Sequence, residues 1–190
     1  MCVRISPQLI NRFHMSQVFL CSERVQLRAP ELSDLDFMYH IENDTRLWSV
    51  SACKVPYSRY LLQQYIETNT HDLYADKQLR LMIVDRLEDK VVGAVDLFDF
   101  NPSDRKCEVG VVVDHSARNR GYAREALSLV RDYASGMLGL HQLYAYVFVD
   151  NDVANRLFAS CAFNSVADLS DWVFYHNCYH DVRLYQCLLP

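Results

Sequence analysis

Between residues 78 and 163 the apolar positions switch between two periods, and the switching lays out a fold. "QLRLMIVD" (78 to 85) and "VVGAVDLFDF" (91 to 100) are strand-length apolar runs around the polar turn "LEDK", the pattern of an antiparallel hairpin. "CEVGVVVD" (107 to 114) predicts a third strand. With Val111, Val112 and Val113 in succession neither of its faces suits water, which places it inside a sheet. Past residue 121 the period lengthens: Ala123, Ala126, Leu127, Val130, Tyr133, Ala134, Met137 and Leu138 recur at three and four, an amphipathic helix ending near Gly139. "HQLYAYVFV" (141 to 149) is again a strand. "VANRLFASCAF" (153 to 163) is again a helix, with Ala154, Leu157, Phe158 and Cys161 on one stripe. "DWVFYHN" and "VRLYQCLL" predict a closing hairpin around "CYHD".

Upstream, "VQLRAP" (25 to 30) predicts a first strand, and Ser33 followed by Asp36 resembles a capping pattern for a helix over 34 to 42. A second helix is expected after Pro56, with Ser58 as its cap and Leu61, Leu62, Tyr65 and Ile66 as a narrow apolar face. The first twenty residues are polar and unpatterned. Ser6, Pro7, Gln8 and Asn11 interrupt any apolar region a signal peptide would need. The expected organisation is therefore a polar tail over 1–20 and a single domain over 21–190, without repeats or a linker.

Composition narrows the partners. A chain of 190 residues that is 51% apolar can bury one good core. Its formal charge of −5 argues against nucleic acid or an anionic membrane, both of which recruit a basic face, and suits a cationic substrate. No stretch is long and apolar enough to span a bilayer. Seven cysteines, an odd number with no CxxC pair, point to reduced thiols and a cytoplasmic setting.

The chemistry concentrates at "RNRGYA" (118 to 123), between the valine-rich strand and the long helix. The first turn of a helix has unpaired N–H groups and about half a positive charge, so it can cradle an anion. Gly121 would permit close approach, and Arg118 and Arg120 would add charge suited to a phosphate or pyrophosphate. The same glycine could simply shape a turn with solvated arginines. Neither GxxxxGK(S/T) nor GxGxxG occurs, which excludes the nucleoside-triphosphate loop and the dinucleotide fingerprint.

Arg118, Gly121 and Ala123 match the Arg/Gln-x-x-Gly-x-Gly/Ala segment of the GNAT superfamily of acetyl-CoA-dependent N-acetyltransferases, which this chain resembles. A second block agrees: Asn151, Ala154, Leu157, Ala162 and Phe163 fall on the family pattern Asn-x-x-Ala/Ser-x-x-Leu-Tyr-x-x-x-Gly-Phe. "RKCEVGVVVDHSARNRGYA" is similar to the branch containing spermidine acetyltransferases and ribosomal-protein N-acetyltransferases, where a glutamate stands at the place of Glu108. The likeness runs over about residues 24 to 188. It implies a mixed α+β GNAT fold, a mostly antiparallel twisted sheet of six to seven strands splayed at the cofactor site and flanked by about four helices.

The resemblance also implies roles. Acetyl-CoA would be the co-substrate, its pantetheine arm lying along the main chain of Val111, Val112 and Val113. Its phosphates would meet Arg118, Asn119, Arg120, Gly121, Tyr122 and Ala123, and Asn151 would bond the cofactor or an ordered water. Asn151 could equally cap a helix. An amine attacks a thioester only when neutral, so Glu108 would serve as base, and its loss is expected to matter most at low pH. Its alternative is a carboxylate in a surface ion pair. Where many relatives carry a tyrosine that protonates the leaving thiolate, this chain has Phe158.

The acceptor implied is a polyamine or similar small cationic amine, with Glu42 and Asp44 of "IENDTRLW" as carboxylates for its ammonium groups. The alternatives are a peptide N-terminus, as for ribosomal-protein acetyltransferases, or a catalytically weak acyl-CoA-binding sensor. A homo-oligomer is compatible with each. No metal is expected: His176, Cys178 and His180 alternate in "HNCYH", but no fourth ligand is spaced nearby. Cys107 and Cys161 are expected as buried small residues rather than acyl carriers.

Overall fold

A computed structural model describes residues 20–48, 55–70 and 72–190. Most of the predicted tail lies outside the described residues. Among the described residues seven strands form one sheet in the order β1-β2-β3-β4-β5-β7-β6. They are β1 (Val25–Arg28), β2 (Leu79–Asp85), β3 (Lys90–Asn101), β4 (Lys106–Val113), β5 (Gln142–Phe148), β6 (Asn164–Tyr175) and β7 (Cys178–Leu188). The helices are α1 (Leu35–Glu42), α2 (Arg59–Thr68), the single turn α3 (Leu73–Asp76), α4 (Tyr122–Gly136) and α5 (Asp152–Ser160). This is the GNAT fold.

The valine-rich β4 occupies the middle of the sheet, as its lack of a polar face requires. Its odd positions, Cys107, Val109, Val111 and Val113, pack into the main core with Leu127 and Val130 of α4. Val112 faces the other way, into a smaller cluster with Met38 of α1 and Leu62 of α2. Gly93 on β3 makes this central pairing close: a Cβ there would lie 2.3 Å from the Val112 carbonyl oxygen.

Two details differ from the pattern. The closing hairpin is longer than predicted, β6 starting at Asn164, and "CYHD" lies within β7 rather than in the turn. The turn is His176-Asn177, with φ of 49° and 58°, the left-handed pair that a tight two-residue hairpin requires and that Asn and His tolerate. β6 is an exposed edge strand, so it lacks the apolar alternation by which buried strands are recognised.

Candidate active site

Each central strand is bound to its outer neighbour, β4 to β3 and β5 to β7, but the two are bound to each other only briefly. Lys106, Cys107 and Glu108 pair with Gln142, Leu143 and Tyr144, and there the parallel ladder ends. Beyond it, among the described residues, the β5-facing edge of Val109–Val113 has no strand beside it. The main-chain groups of Val109 and Val111 on that edge suit an extended ligand, whereas Val112 pairs with Ala94 of β3 and the Val113 carbonyl accepts from Arg118. The side chains of Val111, Val112 and Val113 fill the two cores.

After β4 the chain passes through one 3-10 turn, His115–Ala117, capped by the Asp114 side chain at 2.9 Å from the Ser116 amide. Asn119 and Gly121 then take left-handed conformations, with φ of 61° and 86°. Gly121 is the N-cap of α4 and no side chain caps that helix. The amides of Tyr122, Ala123 and Arg124 therefore open the helix without intrahelical acceptors, next to the exposed Arg118, Asn119 and Arg120. Arg118 is fastened to the strand end by a 3.1 Å bond from Nε to the Val113 carbonyl. Tyr122 contributes main chain only, because its ring is buried and its hydroxyl donates to Asp85.

Arg24 is a residue that periodicity and motif did not single out. Its Nε and Nη2 donate to Glu125 Oε2 at 3.1 and 2.8 Å, and its guanidinium lies 4.8 Å from the centre of the Tyr122 ring. Glu125 is the carboxylate in the first turn of α4. Neutralised by Arg24, it no longer opposes an anion at that helix end. A Cβ on Gly121 would come 3.2 Å from Arg24 Nη2.

Glu108 sits at the point where the strands part, half-buried on the face that also carries Phe98 and Tyr144. Burial first, and then the negative charge of Asp99, push its carboxyl up to about 7. Asp99 reaches it from a bulge in β3, where pairing jumps from Phe98↔Glu108 to Asn101↔Lys106 and Asp99 takes φ of 51°. The Tyr144 hydroxyl donates to Asp99, and burial together with that bond raises the phenol. With a carboxyl protonated below about pH 7, a Glu108 that served as the base would be missed most above that pH, the reverse of the low-pH expectation.

Asn151 caps α5, its Oδ1 accepting from the Ala154 amide at 3.1 Å. Asn155, one turn on, ties the helix to the end of β5: its Nδ2 donates to the carbonyls of Phe148, Val149 and Asn151 at 3.0, 3.2 and 2.9 Å. Its Oδ1 accepts from the Tyr185 hydroxyl at 2.9 Å. Phe158 is 5% exposed, edge-on to Phe163 and stacked on Tyr185 at ring distances of 5.1 and 5.9 Å.

The two carboxylates expected to hold ammonium groups already have cations. Glu42 accepts from the half-buried Arg80, which also holds Asp96 at 2.7 and 2.9 Å and so pins α1 to the sheet. Asp44 is gripped by Arg46 through two bonds of 2.8 and 2.7 Å, which hold its carboxyl at about 2.

The Cys107 thiol is pushed up to about 12 by burial and two nearby carboxylates, which removes it as an acyl carrier. Cys178 Sγ lies 3.1 Å from His180 Nε2, but among the described residues no group of three or more His, Cys, Asp or Glu side chains could hold a metal. Among the same residues no helix is long and apolar enough to cross a membrane.

Residues 24–164 match the acetyltransferase (GNAT) domain family. The chain is 26% identical over 163 residues to a spermidine N(1)-acetyltransferase of Vibrio cholerae, a match covering 85% of this chain and 91% of the relative. It is 24% identical over 161 residues to the enzyme of the same name from Escherichia coli, covering 83% and 82%. A crystal structure of the Vibrio cholerae spermidine N-acetyltransferase in complex with CoA and spermine superposes with a TM-score of 0.79. The identity there is 26%, over 88% of this chain and 96% of that one.

Proposed function

The chain belongs to the GNAT acetyltransferase family and is an N-acetyltransferase that uses acetyl-CoA, and on that premise we propose that it acetylates a primary amine of a polyamine or similar small cation, with Glu108 as the base. The observation that carries this reading is the place of Glu108: a carboxyl raised to about 7, at the one point where the paired strands open. A base with that affinity is substantially ionised at neutral pH and still accepts a proton readily. The similarity to spermidine acetyltransferases at modest identity supports the polyamine class.

The residues present fit acetyl-CoA. The open edge of β4 at Val109 and Val111 suits the amide-bearing arm. Arg118, Asn119, Arg120 and Gly121, with the amides of Tyr122 and Ala123, suit the pyrophosphate, and Arg24 keeps Glu125 from repelling it. When bound, acetyl-CoA supplies an acetyl group on a thioester. Glu108 takes a proton from the acceptor's ammonium group so that the neutral amine can attack as the CoA thiolate leaves, and open main-chain amides of β4 are fixed donors for developing oxygen charge. Asn151 and Asn155 hold the start of α5 against the end of β5, keeping that side of the gap in place.

The test is to incubate the protein with acetyl-CoA and a panel of monoamines, polyamines and peptides while following free CoA thiol. Thiol release with polyamines and none with peptides is expected. Release with peptide N-termini alone would replace this reading with the protein-acetyltransferase one, and no release with any of the acceptors would leave only cofactor binding.

A further inference from the structure

From Glu108 a row of aromatic side chains leads away across the open face of the sheet. Tyr144, its register partner, and Tyr146 lie two apart on β5 and share that face, with ring centres 5.8 Å apart and edges crossed. Trp172 of β6 continues the row, stacked on Tyr146 at 6.2 Å and 24°. Tyr146 is 40% exposed and Trp172 56%, so both indole and phenol keep π-surface in water. At the inner end stands Asp99, bonded to the Tyr144 hydroxyl and itself exposed.

Rings with exposed faces beside a carboxylate attract a cation, by their quadrupoles and by charge. The nearby ammonium of Lys106 is held by Asp104 at 3.0 Å. The row is continuous with Glu108 and extends beyond it by two ring-to-ring steps, each comparable to the span of a three- or four-methylene spacer. A monoamine held at Glu108 would not reach it. A molecule with a second ammonium group would.

We propose that this row holds the acceptor along its length, Asp99 drawing a cation toward the inner end and the faces of Tyr146 and Trp172 taking the distal ammonium, which selects diamines and polyamines over monoamines. This rests on the reading of Glu108 as the base of an amine acetyltransferase. The carboxylates that sequence pattern offered for this purpose are paired with Arg80 and Arg46, whereas this subsite joins one carboxylate to π-faces that the fold leaves uncovered. Trp172 lies on an edge strand, so it can be removed without opening the core.

The experiment compares kcat/KM for spermidine and for n-butylamine in wild type, Trp172→Ala and Trp172→Phe. Wild type is expected to prefer spermidine. Trp172→Ala should lower kcat/KM for spermidine about tenfold, mostly through KM, and leave n-butylamine within about twofold. Trp172→Phe should recover much of the loss, because a ring face remains. Equal losses for both amines, or an unchanged spermidine value in Trp172→Ala, would overturn the subsite. A wild-type enzyme that turns over n-butylamine as well as spermidine would overturn the polyamine reading beneath it and leave the role of Glu108 standing.

Discussion

Glu108 and Tyr144 are the last facing pair of the β4–β5 ladder, and beyond them the strands separate. That one pairing places a carboxylate at the base of a main-chain cleft and brings Tyr144 to Asp99, whose charge acts back on Glu108.

Asp99→Asn should move the acid limb of the kcat/KM profile toward lower pH. Burial, the larger influence on Glu108, would remain, so a shift on the order of half a pH unit is expected. The amide oxygen of the substituted side chain would still accept from Tyr144, which preserves the local geometry. An unmoved limb would mean that Asp99 does not sense Glu108.

The same carboxyl sets a pH-dependence of stability. Its folded-state affinity for a proton lies above its unfolded value of 4.5, so the protonated native state is favoured in acid and stability is lost as pH rises toward about 7. Glu108→Gln removes that loss. Its melting temperature should match wild type near pH 4 and exceed it near pH 8, by the equivalent of about 1 to 3 kcal/mol. Equal stability at both pH values would show Glu108 to be well solvated.

At the cofactor turn, Gly121→Asp should weaken CoA binding by tenfold or more in calorimetry. The added carboxylate would occupy the positive end of the helix and repel the pyrophosphate, and it also sits at φ of 86°, where a side chain is strained. Arg24→Ala should weaken CoA less, roughly two- to tenfold, by freeing the charge of Glu125. Unchanged affinity in a folded Gly121→Asp protein would place the phosphates elsewhere.

Phe158→Tyr is the change that restores the tyrosine many relatives carry. Because the ring is packed between Phe163 and Tyr185, the new hydroxyl would be buried, and a loss of about 1 to 3 kcal/mol with turnover within about twofold is expected. A tenfold rise in turnover would show instead that the ring faces the reacting sulfur.

Much of this fold was legible because its central strands and its two long helices are buried on faces that repeat at two or at three to four residues. Glu108, Gly121 and Asn151 were legible through motif spacing, and Asn151 proved to cap α5, one of its two readings. What escaped depends on contacts distant in sequence. Arg24 meets Glu125 across 101 positions, and Arg80 meets Glu42 across 38, so neither pairing leaves a local pattern. Glu42 and Asp44 accordingly read as free carboxylates when they are not. Asp99 was hidden differently: its left-handed bulge falls inside a strand that reads as regular, and only the shifted register brings it to Tyr144. The Trp172 row was invisible because β6 is an exposed edge with no apolar period.

The central claim is that Glu108 takes the proton of the attacking amine. It is tested most directly by the pH dependence of kcat/KM for spermidine in wild type and Glu108→Gln, with CoA affinity measured alongside. Wild type should lose activity below an apparent pKa of about 7. Glu108→Gln should keep its CoA affinity, lack that limb, and fall behind by roughly 10²- to 10⁴-fold near pH 8, with the gap narrowing in acid. A variant that keeps the wild-type rate and the wild-type limb would contradict the claim and make Glu108 a structural residue.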